Sequence, residues 1–408
     1  MNDHSPLRTE TGAPIRFGEF VALIAYLFAL GALGIDAMLP ALPDIGRSLD
    51  VADPNARQFV ISAFLGGFGV AQLIHGPLAD RFGRRRVLLW AIGVYTVANG
   101  LAAVSGSFPL LLAARVLAGV SIAATRVATT AMVRDCYQGA AMARVMSIAF
   151  MVFMVVPILA PALGQAVLLV ASWRAIFWVI AGLSVALFLW FWARMPETLR
   201  PEDRRPINPA QVWAGWRRTA GDRLSLGYTL ATAALMGGLY GYLNSIQQIM
   251  FDTFRRPELL AGVFAGTAAT MAAANLFNAR IVVKVGTRII SHGAVLLLIA
   301  VAGLHLLLVE SSRETLWTFA VLQALTMACF GLASANFQSM AMQNMGRIAG
   351  TASSVQGFAS VSAGAAIGAV IGQAFDGTVA PLAIGFMGAG LAALVLVAAT
   401  ERGRLFRR

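Results

Sequence analysis

Twelve long apolar runs, separated by short polar stretches, decide most of what this 408-residue chain can become. In hydrocarbon every backbone amide needs an internal partner, so an apolar run of about 20 residues crosses a bilayer as an α-helix. The runs fall near 17–43, 58–78, 87–105, 109–133, 142–169, 173–194, 224–251, 260–283, 289–308, 316–340, 349–372 and 380–400. Helical periodicity does not help here, because a lipid-facing helix is apolar nearly all round; run length and flanking charge locate the spans. Only 12% of residues are charged, against about a quarter in a soluble chain, and mean hydropathy is +0.74. The expectation is an all-α integral membrane protein. The first run is too long for a cleavable signal and lacks a small-residue cleavage site, so it is expected to stay as an anchor.

A net charge of +12 would suit a nucleic-acid binder, but its distribution is that of a membrane topology. With both termini placed in the cytoplasm, six basic residues fall in outer loops: Arg47, Arg57, Arg174, Arg255, Arg256 and Arg313. Two, Arg115 and Arg126, lie within spans, and the remaining 23 sit on the inner side. The predicted organisation is a cytoplasmic tail (1–16), a six-helix bundle (17–194), a cytoplasmic linker (195–223), a second six-helix bundle (224–400) and a basic tail (401–408). The linker is charged and carries Trp213 and Trp216, a composition suited to a short amphipathic helix at the membrane surface. Gly83 and Gly286 stand 203 residues apart, close to half the chain, and Arg144 and Arg347 repeat the offset. The two bundles therefore read as a repeat.

Between the second and third spans lies the densest charge cluster of the first half: Gly76, Asp80, Arg81, Gly83, Arg84 and Arg85. Glycines let two helix ends approach, and Asp80 can sit against arginines or a helix N-terminus. The spacing Gly76-x-x-Ala79-Asp80-Arg81-x-Gly83-Arg84-Arg85 resembles the loop 2–3 signature of the major facilitator superfamily. The resemblance implies two six-helix halves that rock about a site at their interface. It also implies that this loop gates the inner side, with Asp135 as a partner for Arg81 or Arg84. The second-half loop around Gly286 keeps the basic character but has Val283 in place of the Asp.

Asp36 and Arg115 are ionisable groups inside spans, each costing about 2.5–3.5 kcal/mol to insert, so each needs a partner or a wet cavity. Asp36 precedes Pro43 by seven residues and Arg115 follows Pro109 by six, which puts both at similar depth in the outer half. Two readings are open: a structural ion pair, or a proton-titrating carboxylate beside a tuning positive charge. The run Gly34-Ile35-Asp36-Ala37-Met38-Leu39-Pro40-Ala41-Leu42-Pro43 is similar to the helix 1 motif of twelve-helix drug:proton antiporters, above all the bicyclomycin/chloramphenicol-resistance (Bcr/CflA) branch. Arg115-Val116-Leu117-Ala118-Gly119 resembles the helix 4 motif implicated in proton coupling, with Ala118 where Gln is usual. Resemblance to that branch extends over nearly the whole chain. It implies proton coupling through Asp36 and Arg115, in a monomer of a bacterial plasma membrane with lipid around it.

The fifth span departs from the antiporter pattern, keeping Pro161 and Gly164 of G-x-x-x-G-P-x-x-G-G; Pro157 and Pro161 can still bend it. Arg126 lies eleven residues after Arg115, so nearly on the same helix face, where it either snorkels to the inner surface or meets substrate, Asp80 or Asp135. Tyr240, Tyr242, Asn244 and Gln247 on the seventh span suit a substrate cavity or interhelical hydrogen bonds, as do Gln72 and Asn336. Cys136 and Cys329 form no disulfide framework and no metal-ligand spacing. No hydrolase, kinase or nucleotide-binding pattern is present, so neither an enzyme nor an ATP-driven pump is expected. The leading expectation is a proton-coupled exporter of small amphipathic drugs or metabolites, with the proton as coupling ion and no other cofactor. A porter of sugars or other metabolites, running in the import direction, and a membrane sensor or scaffold stay open beside it.

Overall fold

The computed structural model describes residues 13–204, 206 and 209–406, and among them the regular structure is helical throughout. Most of the expected N-terminal tail (1–12), Arg205 of the linker and the last two arginines of the basic tail lie outside the described residues. Twelve long helices follow one another: α1 (Phe17–Asp36), α2 (Phe59–Phe82), α3 (Arg84–Ala103), α4 (Phe108–Cys136), α5 (Gly139–Leu168), α6 (Trp173–Arg194), α7 (Arg223–Gln248), α8 (Leu260–Val285), α9 (Thr287–Glu310), α10 (Leu316–Met342), α11 (Ala349–Gln373) and α12 (Ala380–Thr400). A further helix, Pro209–Gly221, lies between α6 and α7. Eleven of the twelve are long and apolar enough to cross a bilayer. The twelfth, α7, has 26 residues, but Tyr240, Tyr242, Asn244, Gln247 and Gln248 lower its apolar density, and all five are buried.

The packing repeats between halves. In the first, α1 packs on α4, α5 and α6, α4 on α2 and α3, and α3 on α6. In the second, α7 packs on α10, α11 and α12, α10 on α8 and α9, and α9 on α12. The halves meet along two seams, α2 against α11 and α5 against α8, which exchange with each other under the same six-helix shift. Backbone geometry carries the repeat further. Gly83 (φ 96°, ψ 153°) is the lone residue between α2 and α3, and Gly286 (φ 99°, ψ 145°) is the lone residue between α8 and α9. A positive φ of this size is open to glycine at little cost, and here it turns the chain back within one residue. Large apolar side chains also cover the outside, with Trp90, Trp178, Trp192, Leu307 and Val395 all exposed. A bundle apolar within and without suits a lipid solvent.

The structure corrects the first span. It was expected as one helix over 17–43, but α1 ends at Asp36, followed by a tight turn, Leu39–Ala41, and a short helix, Leu42–Ser48. The cause is local. Pro40 has no N–H for the Asp36 carbonyl and Pro43 none for that of Leu39, so the helical ladder cannot continue. The seventh span is also shorter than expected, passing at Ile249 into a wider turn that ends at Thr253. By contrast α5 runs as one helix through both Pro157 and Pro161.

Candidate functional site

Helix α1 stops where its one buried carboxylate stands. Asp36 is 5% exposed. Among the described residues its carboxylate makes no ion pair. It stands within electrostatic range of Tyr242 of α7 in the other half, and the turn that follows it, Leu39–Ala41, packs on α7. Gly164 of α5 comes directly against the Ala37 carbonyl and Pro40, leaving no room there for a side chain. The close approach of α5 to α1 thus falls on the break beside Asp36.

Arg115 does not pair with Asp36, contrary to the ion-pair expectation. The two share a depth, but the fully buried guanidinium points elsewhere. It donates to the Gly34 carbonyl (2.8 Å) and the Val60 carbonyl (3.0 Å) and lies 4.5 Å over the Phe64 ring. Once α1 breaks, the Gly34 carbonyl belongs to a helix C-terminus, where an arginine satisfies an orphan acceptor and the negative end of the helix dipole together. Arg115 is thus the cap of α1 and holds it to α2 and α4.

The face of the bundle that carries Phe17, Arg194 and Thr400 is called here the termini face. At it, the cluster between α2 and α3 forms a network inside the first half. Arg84 is 3% exposed and joins Asp80 (2.8 Å) to Asp135 at the end of α4 (3.0 Å). Arg85 donates to the carbonyls of Trp192 in the last turn of α6 (2.7 Å) and of Met195 just past its end (2.6 Å). Arg81 stays outside this network, its guanidinium 5.3 Å from the Phe82 ring. Gly76 lies against Ser354 of α11 and Val127 of α4. Glu197 was not expected at this site. Its carboxylate accepts from the backbone N–H of Arg84 (2.8 Å) and sits where a side chain on Gly83 would be, so it caps α3 and demands glycine there. The second half builds a related lock, with Glu401 accepting from Arg288 (2.8 Å) and Tyr228 (2.6 Å). Burial alone would raise the Glu401 carboxyl, but those two hydrogen bonds outweigh it and hold it below the usual carboxylate range.

The expected cavity residues divide. Asn336 is structural, since its amide donates to Asn278 of α8 (2.9 Å) and to the Leu332 carbonyl, both in its own half. Tyr242 stacks on Phe264 and shares a hydrogen bond with Thr267 of α8 (2.9 Å). Others face the seams between halves. Gln72 of α2 fills the space beside Gly357 of α11 and Asn244 accepts from Ser62 of α2 (3.3 Å), both across the halves, whereas Tyr240 packs into Gly364 and Gly368 of α11 in its own half. Gln72, Asn244 and Gln247 are all buried, and each keeps an amide nitrogen with no acceptor.

A family model described as Major Facilitator Superfamily matches residues 23–369. The chain belongs to the Major Facilitator Superfamily. It is therefore a multi-span membrane transporter rather than an enzyme. It is 28% identical over 366 residues to a bicyclomycin resistance protein homolog of Haemophilus influenzae, covering 89% of this chain and 91% of that one. It is 30% identical over 271 residues to a chloramphenicol resistance protein of Pseudomonas aeruginosa, covering 65% and 61%. The likeness thus lies with the Bcr/CflA branch. Among solved structures, a peptide transporter crystallised with sulfate shares the fold at TM-score 0.75 and 15% identity, with 96% of each chain covered.

This facilitator closes its two halves on each other at the face away from the termini, through side-chain amides of which sequence reasoning passed over Asn55, Gln58 and Gln373. Gln58 donates to Gln248 of α7 and to the Gly372 carbonyl of α11 (2.9 Å). Gln248 donates to Asn55 (2.7 Å), and Asn55 donates to the carbonyls of Gln373 (3.1 Å) and Phe375 (2.9 Å). Gln373 returns a hydrogen bond to the Asn55 carbonyl (2.8 Å). Gln165 of α5 adds one more to Pro257 (3.0 Å). At the termini face, by contrast, each ion pair stays within one half: Arg84 with Asp80 and Asp135, Arg194 with Glu19, Arg288 with Glu401. At the face away from the termini one ion pair also crosses, Arg57 with the exposed Asp252 at 4.0 Å; the buried part of the latch is neutral amides, which suit a closure that must open because breaking them strands no buried charge. Removing both glutamines (Gln58→Ala with Gln248→Ala) is expected to loosen the latch face. Spin labels at the exposed positions Asp50 and Asp376 would then show a shift of the distance distribution to longer values. An unchanged distribution would remove the latch role.

Proposed function

We propose that this transporter is a proton-coupled exporter of small amphipathic molecules, set in a bacterial plasma membrane with both termini in the cytoplasm and working as a monomer. The observation that carries the reading is Asp36, a buried carboxylate at the break of α1, beside the turn that packs on α7 of the other half and without an ion-pair partner among the described residues. An unpaired carboxylate in a membrane bundle is costly when charged, and that cost falls when it takes a proton or meets water. Alternating exposure of Asp36 to the two sides then links proton entry to the rocking of the halves. The excess of basic residues on the termini side supports cytoplasmic termini. The names of the relatives, which speak of resistance to bicyclomycin and chloramphenicol, support export of drug-like compounds.

On this reading the amide latch is the outer gate, closed here, and the structure corresponds to an inward-facing state. Asp80, Arg84 and Asp135 form the inner gate, holding helix ends ready to meet α11 when the outer face opens. The test is drug susceptibility and accumulation in a bacterial strain stripped of its own efflux pumps, with and without this chain, using chloramphenicol as first probe. Lower accumulation that returns when the proton gradient is collapsed is the expected result. Uptake of labelled solute with no resistance to any compound would replace the exporter by a porter.

A further inference from the structure

Among the described residues the charge of Arg126 meets no opposite charge. It stands eleven residues after Arg115 on α4, about 16 Å further along the helix and nearly on the same face. Unlike Arg115 it is exposed. Among the described residues it forms no ion pair, and Asp80 and Asp135, the carboxylates expected within its reach, are both taken by Arg84. Nor does it point out to lipid. Its helix face is that of Arg115, which meets α1 and α2, and its neighbour Val127 lies against Gly76 of α2, with Tyr240 of α7 in the opposite half within range of its charge. It therefore faces the seam between the halves, toward the termini face.

The groups along that seam have donors to spare. Gln72 stands one turn from Gly76 on the same face of α2, and its amide nitrogen, 98% buried with its side chain, has no acceptor. The Ser362 hydroxyl of α11, beside Gly69, is also unpartnered. A fixed positive charge with unfilled donors nearby matches a ligand that brings oxygen acceptors and a negative charge, since guanidinium and carboxylate or phosphate pair in a two-pronged geometry. Asp36 does not compete for Arg126, because it sits at the depth of Arg115, toward the latch face.

We propose that the seam between the halves binds amphiphiles carrying an oxyanion, a carboxylate first of all, with Arg126 as the anchor and Gln72 and Tyr240 contributing hydrogen bonds. The proposal rests on the exporter reading for its direction of transport, but not for the binding itself. It narrows the substrate class: acidic amphiphiles are preferred over cationic ones of the same size.

The test uses the full chain, purified in detergent, with fluorescein as the anionic probe and rhodamine 6G as a cationic one on the same ring system. Fluorescence anisotropy is expected to show fluorescein binding at least tenfold tighter than rhodamine 6G. Arg126→Gln should weaken fluorescein at least tenfold and leave rhodamine 6G unchanged, while Arg126→Lys should recover part of the loss. Tighter binding of rhodamine 6G, binding of neither dye, or equal weakening of both by Arg126→Gln would overturn the anion site. Transport of the same dyes into everted vesicles separates this from the exporter reading. Fluorescein bound through Arg126 but not pumped leaves the anion site standing and removes the exporter. Pumping that ignores probe charge does the reverse.

Discussion

Replacing Asp36 by Asn is expected to abolish proton-driven efflux while the protein still inserts and folds. The argument is one of position and partners. The side chain is 5% exposed, stands at the last residue of α1 and makes no ion pair among the described residues, so nothing in the fold depends on its negative charge. Asn has nearly the same volume and keeps hydrogen-bonding capacity but cannot exchange a proton. A purely structural group would therefore tolerate it, whereas a coupling group would not. Everted vesicles give the measurement, as proton release on addition of an exported compound, for wild type and Asp36→Asn side by side. Release is expected to vanish in the variant, with binding of the compound retained. Equal proton movement in the two would leave Asp36 with a structural role only.

Arg115→Ala is expected to act through stability first and transport second. Its guanidinium serves two backbone carbonyls from different helices and covers the Phe64 face. Hydrogen bonds from charged groups are worth roughly 1.5–3 kcal/mol each, so losing both costs about 3 kcal/mol or more. The loss also leaves the C-terminus of α1 uncapped beside Asp36. Lysine should not rescue, since one ammonium lacks the planar fork that reaches Gly34 and Val60 together. The thermal midpoint of the purified protein in detergent checks this, and a fall of several degrees is expected for both variants. Full stability with lost transport would return Arg115 to the coupling role that the family resemblance implied.

Much of the site was legible before the structure, and the failures share a cause. Counting residues from Pro43 and Pro109 placed Asp36 and Arg115 at one depth, and both lie there. Depth says nothing of direction around the helix axis, and the pair that depth suggested is absent because Arg115 turns to the broken end of α1. That break was itself foreseeable, as Pro40 removes the donor that the Asp36 carbonyl would need. Asp135 as a partner of Arg84 followed from the loop motif. Two readings stayed open for Asn336, because an amide in a span looks the same whether it lines a cavity or ties two helices, and its bond to Asn278 favours the second. Gln58 and Asn55 escaped notice because polar residues at span ends are ordinary.

By itself the sequence determined the number of spans, the two-half repeat and the superfamily, since these rest on hydropathy, on a 203-residue offset and on local motifs. Hydrophobic length and a one-residue glycine turn act within a few residues of the chain, so they are written where they act. Which charges meet, which glutamines hold the halves together and which arginine is left over were decided by tertiary structure alone. Gln58 meets Gln248 across 190 residues and Gly372 across 314. Such contacts depend on the rotation of each helix about its own axis, and in a chain apolar on every side no periodicity records that rotation.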